Sequence, residues 1–278
     1  MLNICRSDLY RLLRSKGFYI MLGVILLILI LSVAAMEPGV VFPIGLQKSD
    51  VSEAIEGVPY ETYSNFSFKE ARNFLLNSPV YYMERDFLSQ NMNLYYMFII
   101  IAVVTITSDF SNGSVKNTLS SAISRRKYYM AKTGFTAVLS MAILFFNLVL
   151  LHCGMKMFNS SANTLSFAEL MKIYVFQLPV ALTLVSLLVC LSFTFRKTAI
   201  INGLGIPFII VFQLILVILK EFAKLSDKFT DYELSSMYYF MAHSPSSSYV
   251  IKSFIICGVL ILVFNIAGYT SFRKAEIR

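Results

Sequence analysis

Few residues in this chain have the types and spacing for covalent chemistry. The two histidines, His152 and His243, are far apart in the sequence. His152 beside Cys153 offers two metal ligands, but a tetrahedral site takes four, and no other Cys or His stands at ligand spacing. The pair reads as interfacial polar residues. Ser246, Ser247 and Ser248 have no base near them in sequence and read as the loop before a helix. There is no GxxxxGK[ST] phosphate cradle and no HExxH zinc motif. Five amides, Asn147, Gln177, Asn202, Gln213 and Asn265, fall within apolar runs. There they either bond between helices or line a path through them. The most polar stretch of the otherwise apolar centre is SDFSNGSVKNTLSSAISRRKYYMAK, Ser108 to Lys132.

The elements that carry these residues are set by composition. Of 278 residues, 57% are hydrophobic and 14% charged, with a mean hydropathy of +0.68. Soluble domains carry about 25% charged residues. A water-soluble fold cannot hide this much apolar surface, so the expected class is all-α, a polytopic membrane protein. Six apolar stretches are candidate spans: 18–36, 93–107, 128–152, 172–195, 199–219 and 250–270. The second is short and could begin as early as Phe87. Cys5, Cys153, Cys190 and Cys257 form no disulfide framework.

Charge sets the expected orientation. With the N-terminus inside, the inner segments hold fourteen basic and three acidic residues, and the outer ones ten basic and thirteen acidic. The positive-inside rule then places both termini in the cytoplasm. The net charge of +8 points to anionic lipid headgroups and not to nucleic acid.

Residues 1–17 read as an interfacial elbow helix. Leu2, Cys5, Leu9, Leu12 and Leu13 share one face, while Arg6, Asp8, Arg11, Arg14 and Lys16 lie away from it. The alternative, a signal peptide ending near SVAAME at 32–37, is disfavoured by a long apolar run and five further spans. The segment 37–92 is expected to be a large extracellular loop. A short helix is expected in it over 67–79, with a Ser67/Glu70 capping box and a stop at Pro79. In INGLGIPF, 201–208, Gly203 and Gly205 permit close helix approach, and Pro207 permits a kink, static or flexing.

The loop 108–127 falls in the cytoplasm on this topology. Ser111 or Asn112 can cap a helix starting near Ser114. Val115, Leu119, Ala122 and Ile123 then share a face, and Arg125, Arg126 and Lys127 follow. Two readings fit: a linker anchored to headgroups, or an amphipathic docking helix for a soluble partner.

The same stretch resembles the type-2 ABC exporter permeases, also called ABC-2 transporters. Their first cytoplasmic loop carries an acid, three variable residues, Gly-Thr, a variable residue and Lys. An apolar stretch, Pro-Ile-Ser-Arg, an aromatic residue and Lys follow. Here the matching residues are Asp109, Gly113-Ser114, Lys116, Leu119, Ala122-Ile123-Ser124-Arg125, Tyr128 or Tyr129, and Lys132. Asp replaces Glu, Ser replaces Thr and Ala replaces Pro. The ending YTSFRKAEIR is similar to the family's aromatic, basic and acidic close.

The resemblance implies a single permease domain over 1–278. It would pair with a second permease subunit, like or unlike, in the plasma membrane of a bacterium. It implies docking of a separate ATP-binding cassette subunit that holds ATP and Mg, with no cofactor and no enzyme activity in this chain. The docking residues would be Asp109, Gly113, Val115, Lys116, Leu119, Ala122, Ile123, Arg125 and Arg126, with both arginines fixing the angle of the helix. Its small members with a sizeable first outer loop resemble bacteriocin and lantibiotic immunity exporters or exporters of amphipathic peptides. A membrane scaffold or sensor that holds a regulatory protein through 108–127 is the competing expectation.

Overall fold

The computed structural model describes residues 2–34, 82–89, 94–120, 123–158, 165–205, 207, 215, 231–243 and 245–275. Among these every regular element is helical. The expected helix at 67–79, Ala122, Gln213 and most of the stretch 199–219 lie outside the described residues.

Helix α1 (Leu2–Leu13) and helix α2 (Lys16–Ala34) meet at a bend of 64°. The bend falls where the polar run ends and the apolar run begins. A short helix, α3 (Tyr82–Ser89), precedes α4, which runs over Tyr95–Ala102, passes through a π-helical turn at Val103–Thr107 and closes at Ser108–Ser111. Among the described residues the second apolar stretch is helical from Tyr95, and Phe87 lies in α3.

Gly113 has φ +67°, the left-handed region that a side chain disfavours, and turns the chain into α5 (Ser114–Ser120). Then come α6 (Arg125–Phe158), α7 (Phe167–Phe195), a helical stretch over 198–205, α8 (Leu234–Ala242) and α9 (Ser247–Lys274).

Three of these helices, Arg125–Met157, Phe167–Phe195 and Ser247–Lys274, are long and apolar enough to cross a membrane, and a fourth crossing results if the bent pair α1–α2 is counted as one. Each runs several residues past its apolar core. The extra turns carry polar residues that cap the ends: Ser166 and Glu169 form a capping box on α7, and Ser246 caps α9.

Helix α7 is the axis of the bundle, packing against α4, α6, α8 and α9. Its hydrophobic window is 61% buried, against 11% for that of α9, so α7 is interior and α9 peripheral. Two glycines set close approaches. A Cβ on Gly205 would stand 3.3 Å from Ile99, and one on Gly268 would stand 2.9 Å from Tyr129 Oη and 3.0 Å from Cys190 Cα.

Candidate functional site

Four charged side chains from three helices meet where α1 crosses the loop end of the bundle. The Lys132 ammonium donates to Asp8 Oδ1 and Oδ2 at 2.7 and 2.8 Å and to the Thr105 carbonyl at 2.7 Å, and lies 2.6 Å from Asp109 Oδ2. Arg11 donates to both Asp8 and Asp109. Tyr128 Oη donates to Asp109 Oδ2 at 2.6 Å, and Ser114 Oγ donates to Asp109 Oδ1 at 3.0 Å.

Asp8 and Lys132 are 0% exposed and Asp109 is 3% exposed. Charges this deep persist only when paired and fully bonded. Two carboxylates face two cations here, so the cluster is neutral as a whole.

Local sequence explains the convergence. Tyr128 and Lys132 are four residues apart on α6, and Asp8 and Arg11 are three apart on α1, so each pair shares a face. Asp109 sits at the end of α4, where the chain turns. Its carboxylate touches α1 through Arg11, α5 through Ser114, and α6 through Tyr128 and Lys132.

The two acids are held differently. Burial alone would raise the Asp109 pKa, but Arg11, Lys132 and Tyr128 outweigh it and hold the carboxyl below its ordinary value. For Asp8 burial wins over Lys132 and Arg11, and its pKa is raised.

The cluster rests on the π-helical turn. Thr105 Oγ1 bonds back to the Ile101 carbonyl at 2.7 Å and lies 3.2 Å from Thr136 Oγ1, while Thr107 bonds back to Val103 at 2.9 Å. Such back-bonding bends helices, and π-turns concentrate at functional sites. Lys132 takes up the Thr105 carbonyl in the middle of that turn.

Helix α1 departs from the expected amphipathic pattern. Asp8 is buried, whereas Leu9 and Leu13 are 42% and 49% exposed. The bundle face of α1 is built on Asp8 and Leu12, because Lys132 supplies the charge that lets Asp8 turn inward. Leu9 and Leu13 are left facing the surroundings, as an interfacial helix requires.

The expected docking stripe also lies differently. Val115 is 1% exposed and belongs to the chain's own core, and Leu119 and Ile123 pack partly against that core. Helix α5 is tied down at Ser114, so its apolar side meets the bundle first. Gly113, Lys116 and Arg126 are exposed.

Arg125, expected to fix the angle of α5, is half-buried and bonded to the end of α9. Its guanidinium caps the end of α9, donating to the carbonyls of Arg273 and Ala275 at 2.7 and 2.9 Å and of Phe272 at 3.4 Å. Phe272 packs with Phe110, Tyr128 and Phe193 in a cluster of rings next to Asp109. Arg196, at φ 56°, ends α7 in the left-handed conformation and reaches the Ser271 carbonyl at 3.4 Å.

At the opposite end, Glu84 of α3 joins His152 Nδ1 at 2.6 Å and accepts from the Leu165 backbone N–H at 2.8 Å. Both side chains are buried. His152 thus pairs with a carboxylate, while Cys153 is exposed. Among the described residues no His, Cys, Asp and Glu group could hold a metal. Gln177 ties the Leu88 carbonyl of α3 to α7 at 2.8 Å and lies 3.4 Å from that of Tyr238. Asn265 donates to Ser186 at 3.2 Å and accepts from Tyr129 at 3.3 Å. These two amides bond between helices. Asn147 and Asn202 are half-buried.

Sequence reasoning quoted Tyr128 and Lys132 only as matches to the family pattern, without a role of their own, and gave Glu84 none. A signal existed for Lys132, a lone lysine one turn inside an apolar helix, where an uncompensated charge is costly.

A helical bundle with helices long and apolar enough to cross a membrane is the architecture of a polytopic membrane protein. Residues 86–273, more than half of the chain, match the family model described as the C-terminal domain of the multidrug efflux system permease Rv1217c, and the chain belongs to that family. None of the curated proteins compared matches the chain.

Proposed function

We propose that this chain is the membrane subunit of an ATP-driven exporter of the type-2 ABC kind. It crosses the plasma membrane six times with both termini in the cytoplasm, pairs with a second permease subunit and docks a separate ATP-binding cassette subunit. ATP and Mg are held by that partner. The observation that carries the reading is the mounting of α5. This short helix follows the left-handed Gly113 and is pinned at Ser114 to Asp109, which is bonded into α1 and α6. A helix held so firmly passes on a push from a soluble partner as rigid-body motion.

Lys116 on α5 and Arg126 at the start of α6, both exposed, are the residues a partner meets first. Leu119 and Ile123 contribute their outward portions. Asp109 and Val115 hold the docking helix and do not present to the partner.

The substrate on this reading is an amphipathic molecule, a peptide or a drug. The matched family is named for multidrug efflux, which favours apolar drugs. The segment 37–92 carries eight acidic and four basic residues, a balance that outer loops ordinarily show and that would also gather cationic peptides such as bacteriocins.

Affinity purification of the chain from its native membrane in mild detergent tests the reading. An ATP-binding subunit that co-purifies, and is lost from Lys116→Glu/Arg126→Glu, supports it. A good yield of chain with no ATPase overturns it in favour of a scaffold or sensor.

A further inference from the structure

We propose that Lys132 is the positioning residue of a coupling joint: with Asp8, Asp109 and Arg11 it locks the elbow helix α1 to the root of the docking helix, so that both move as one piece when ATP is used. This rests on the transporter reading above and adds the elbow helix to the moving part.

The geometry carries the inference. The Lys132 ammonium donates to both carboxylate oxygens of Asp8 on α1 and to the Thr105 carbonyl of the π-turn, and is ion-paired at 2.6 Å with Asp109 at the end of α4. Among the described residues Arg11, the second cation of the cluster, reaches the two carboxylates and not the π-turn. The Asp109 carboxylate continues the path to Ser114, the first residue of α5. Displacing the end of α4, and with it the Ser114 root of α5, without α1 would separate Asp109 from Arg11 and leave a buried charge short of its partner. That state is strongly disfavoured.

The compliant part lies on the other side of Lys132. The π-turn Val103–Thr107 interrupts the regular helix between the apolar body of α4 and Asp109. It can take up a change in pitch while the charged joint stays closed. Discrete rearrangements of this kind amplify small shifts, because packed interfaces are bistable.

The cluster also makes the test clean. Lys132→Met alone leaves one carboxylate uncompensated, whereas Asp8→Asn/Lys132→Met removes one charge of each sign and leaves the Arg11–Asp109 pair. The experiment uses the complex with its ATP-binding subunit, in a chain whose Cys5 and Cys153 are replaced by Ser. Nitroxides are placed at Arg6→Cys on α1 and Lys197→Cys after α7, both exposed positions. The distance between them is measured without nucleotide and with ATP plus vanadate.

In the otherwise native chain the distance shifts on ATP trapping. In the double variant the complex assembles and hydrolyses ATP, but the shift is lost. A full shift in the double variant overturns the proposal, as does the absence of any shift in the native chain. Where the double variant fails to accumulate, Asp8→Asn, which keeps an oxygen opposite Lys132, gives the reading: a reduced shift supports the joint and an undiminished one overturns it. If no ATP-binding subunit accompanies even the native chain, the transporter reading falls and the joint with it, an outcome distinct from wild-type movement in the variant.

Discussion

The Arg125 guanidinium stands 2.7 Å from the carbonyl of Arg273, two residues 148 positions apart. It enters α6 and closes α9 in one contact. The end of a helix leaves carbonyls without partners, and a cation there satisfies them and opposes the helix dipole. The basic residues that follow α5 are therefore not equivalent. Arg125 is structural, and Arg126 is exposed.

Arg125→Ala is expected to fray the last turn of α9 without weakening the docking surface. The loss is about 1–2 kcal/mol locally, the range for charged hydrogen bonds and helix-end cations. Hydrogen exchange of amides 270–275 checks it. Faster exchange with an unchanged yield of bound partner is expected. Unchanged exchange would mean the three carbonyl contacts carry no stability.

Gly268 makes the second prediction. Its missing side chain lets α9 approach α7 until the added Cβ of an alanine would meet Cys190 Cα at 3.0 Å and Tyr129 Oη at 2.9 Å. The hydroxyl can move but the backbone cannot. Gly268→Ala is expected to lower the thermal midpoint of the purified chain, with a loss of about 1–3 kcal/mol typical of overpacking. Adding Tyr129→Phe should recover only part of it, because Cys190 remains. Full recovery in the double variant would place the whole strain on the tyrosine.

Much of the architecture was legible because apolar runs of the right length have few alternatives. Helices α2, α6, α7 and α9 follow four of them closely. Their ends were less legible, since capping residues such as Ser166 and Glu169 look like loop until the helix is seen to include them. The ion cluster was not legible as a unit. Asp8 and Asp109 read as charges on the polar side of a boundary and Lys132 as a charge just inside a span, and only packing brings 8, 109 and 132 together. Val115 fitted a docking stripe by spacing alone. Periodicity finds a shared face, but it does not say whether that face meets a partner or the chain's own core.

Helix α3 gives the third prediction. It is held by Glu84 to His152 and Leu165, by Arg85 to Glu169 at 3.5 Å and by its Leu88 carbonyl to Gln177. The Arg85 contact is long and Glu169 is partly exposed, so it adds little. Glu84 is buried, and its removal strands both His152 and a backbone N–H. Glu84→Ala is expected to loosen α3 by about 3–5 kcal/mol, the range for breaking a buried pair. Limited proteolysis near residues 82–89 reads it out. Arg85→Ala should leave the cleavage pattern as it is, and equal sensitivity of the two variants would reverse this ranking.

The fourth prediction separates the two acids of the cluster. Burial raises the Asp8 pKa, so its ionised form is disfavoured in the fold, and that penalty fades as pH falls through the raised value. Asp109 is the opposite case. Burial opposes its charge, but Arg11, Lys132 and Tyr128 prevail and lower its pKa. Its contribution is fully present above the ordinary carboxylate pKa and is lost as pH falls through the lowered one. Asp109→Asn should therefore destabilise the chain more than Asp8→Asn at neutral pH. The native chain's advantage over Asp109→Asn should shrink on acidification, while its difference from Asp8→Asn shifts in the native chain's favour. Thermal midpoints of the three proteins, followed from neutral pH to well below the ordinary carboxylate value of about 4, check both signs. A larger neutral-pH loss in Asp8→Asn would mean that Asp8, and not Asp109, is the carboxylate around which the other three charges are arranged.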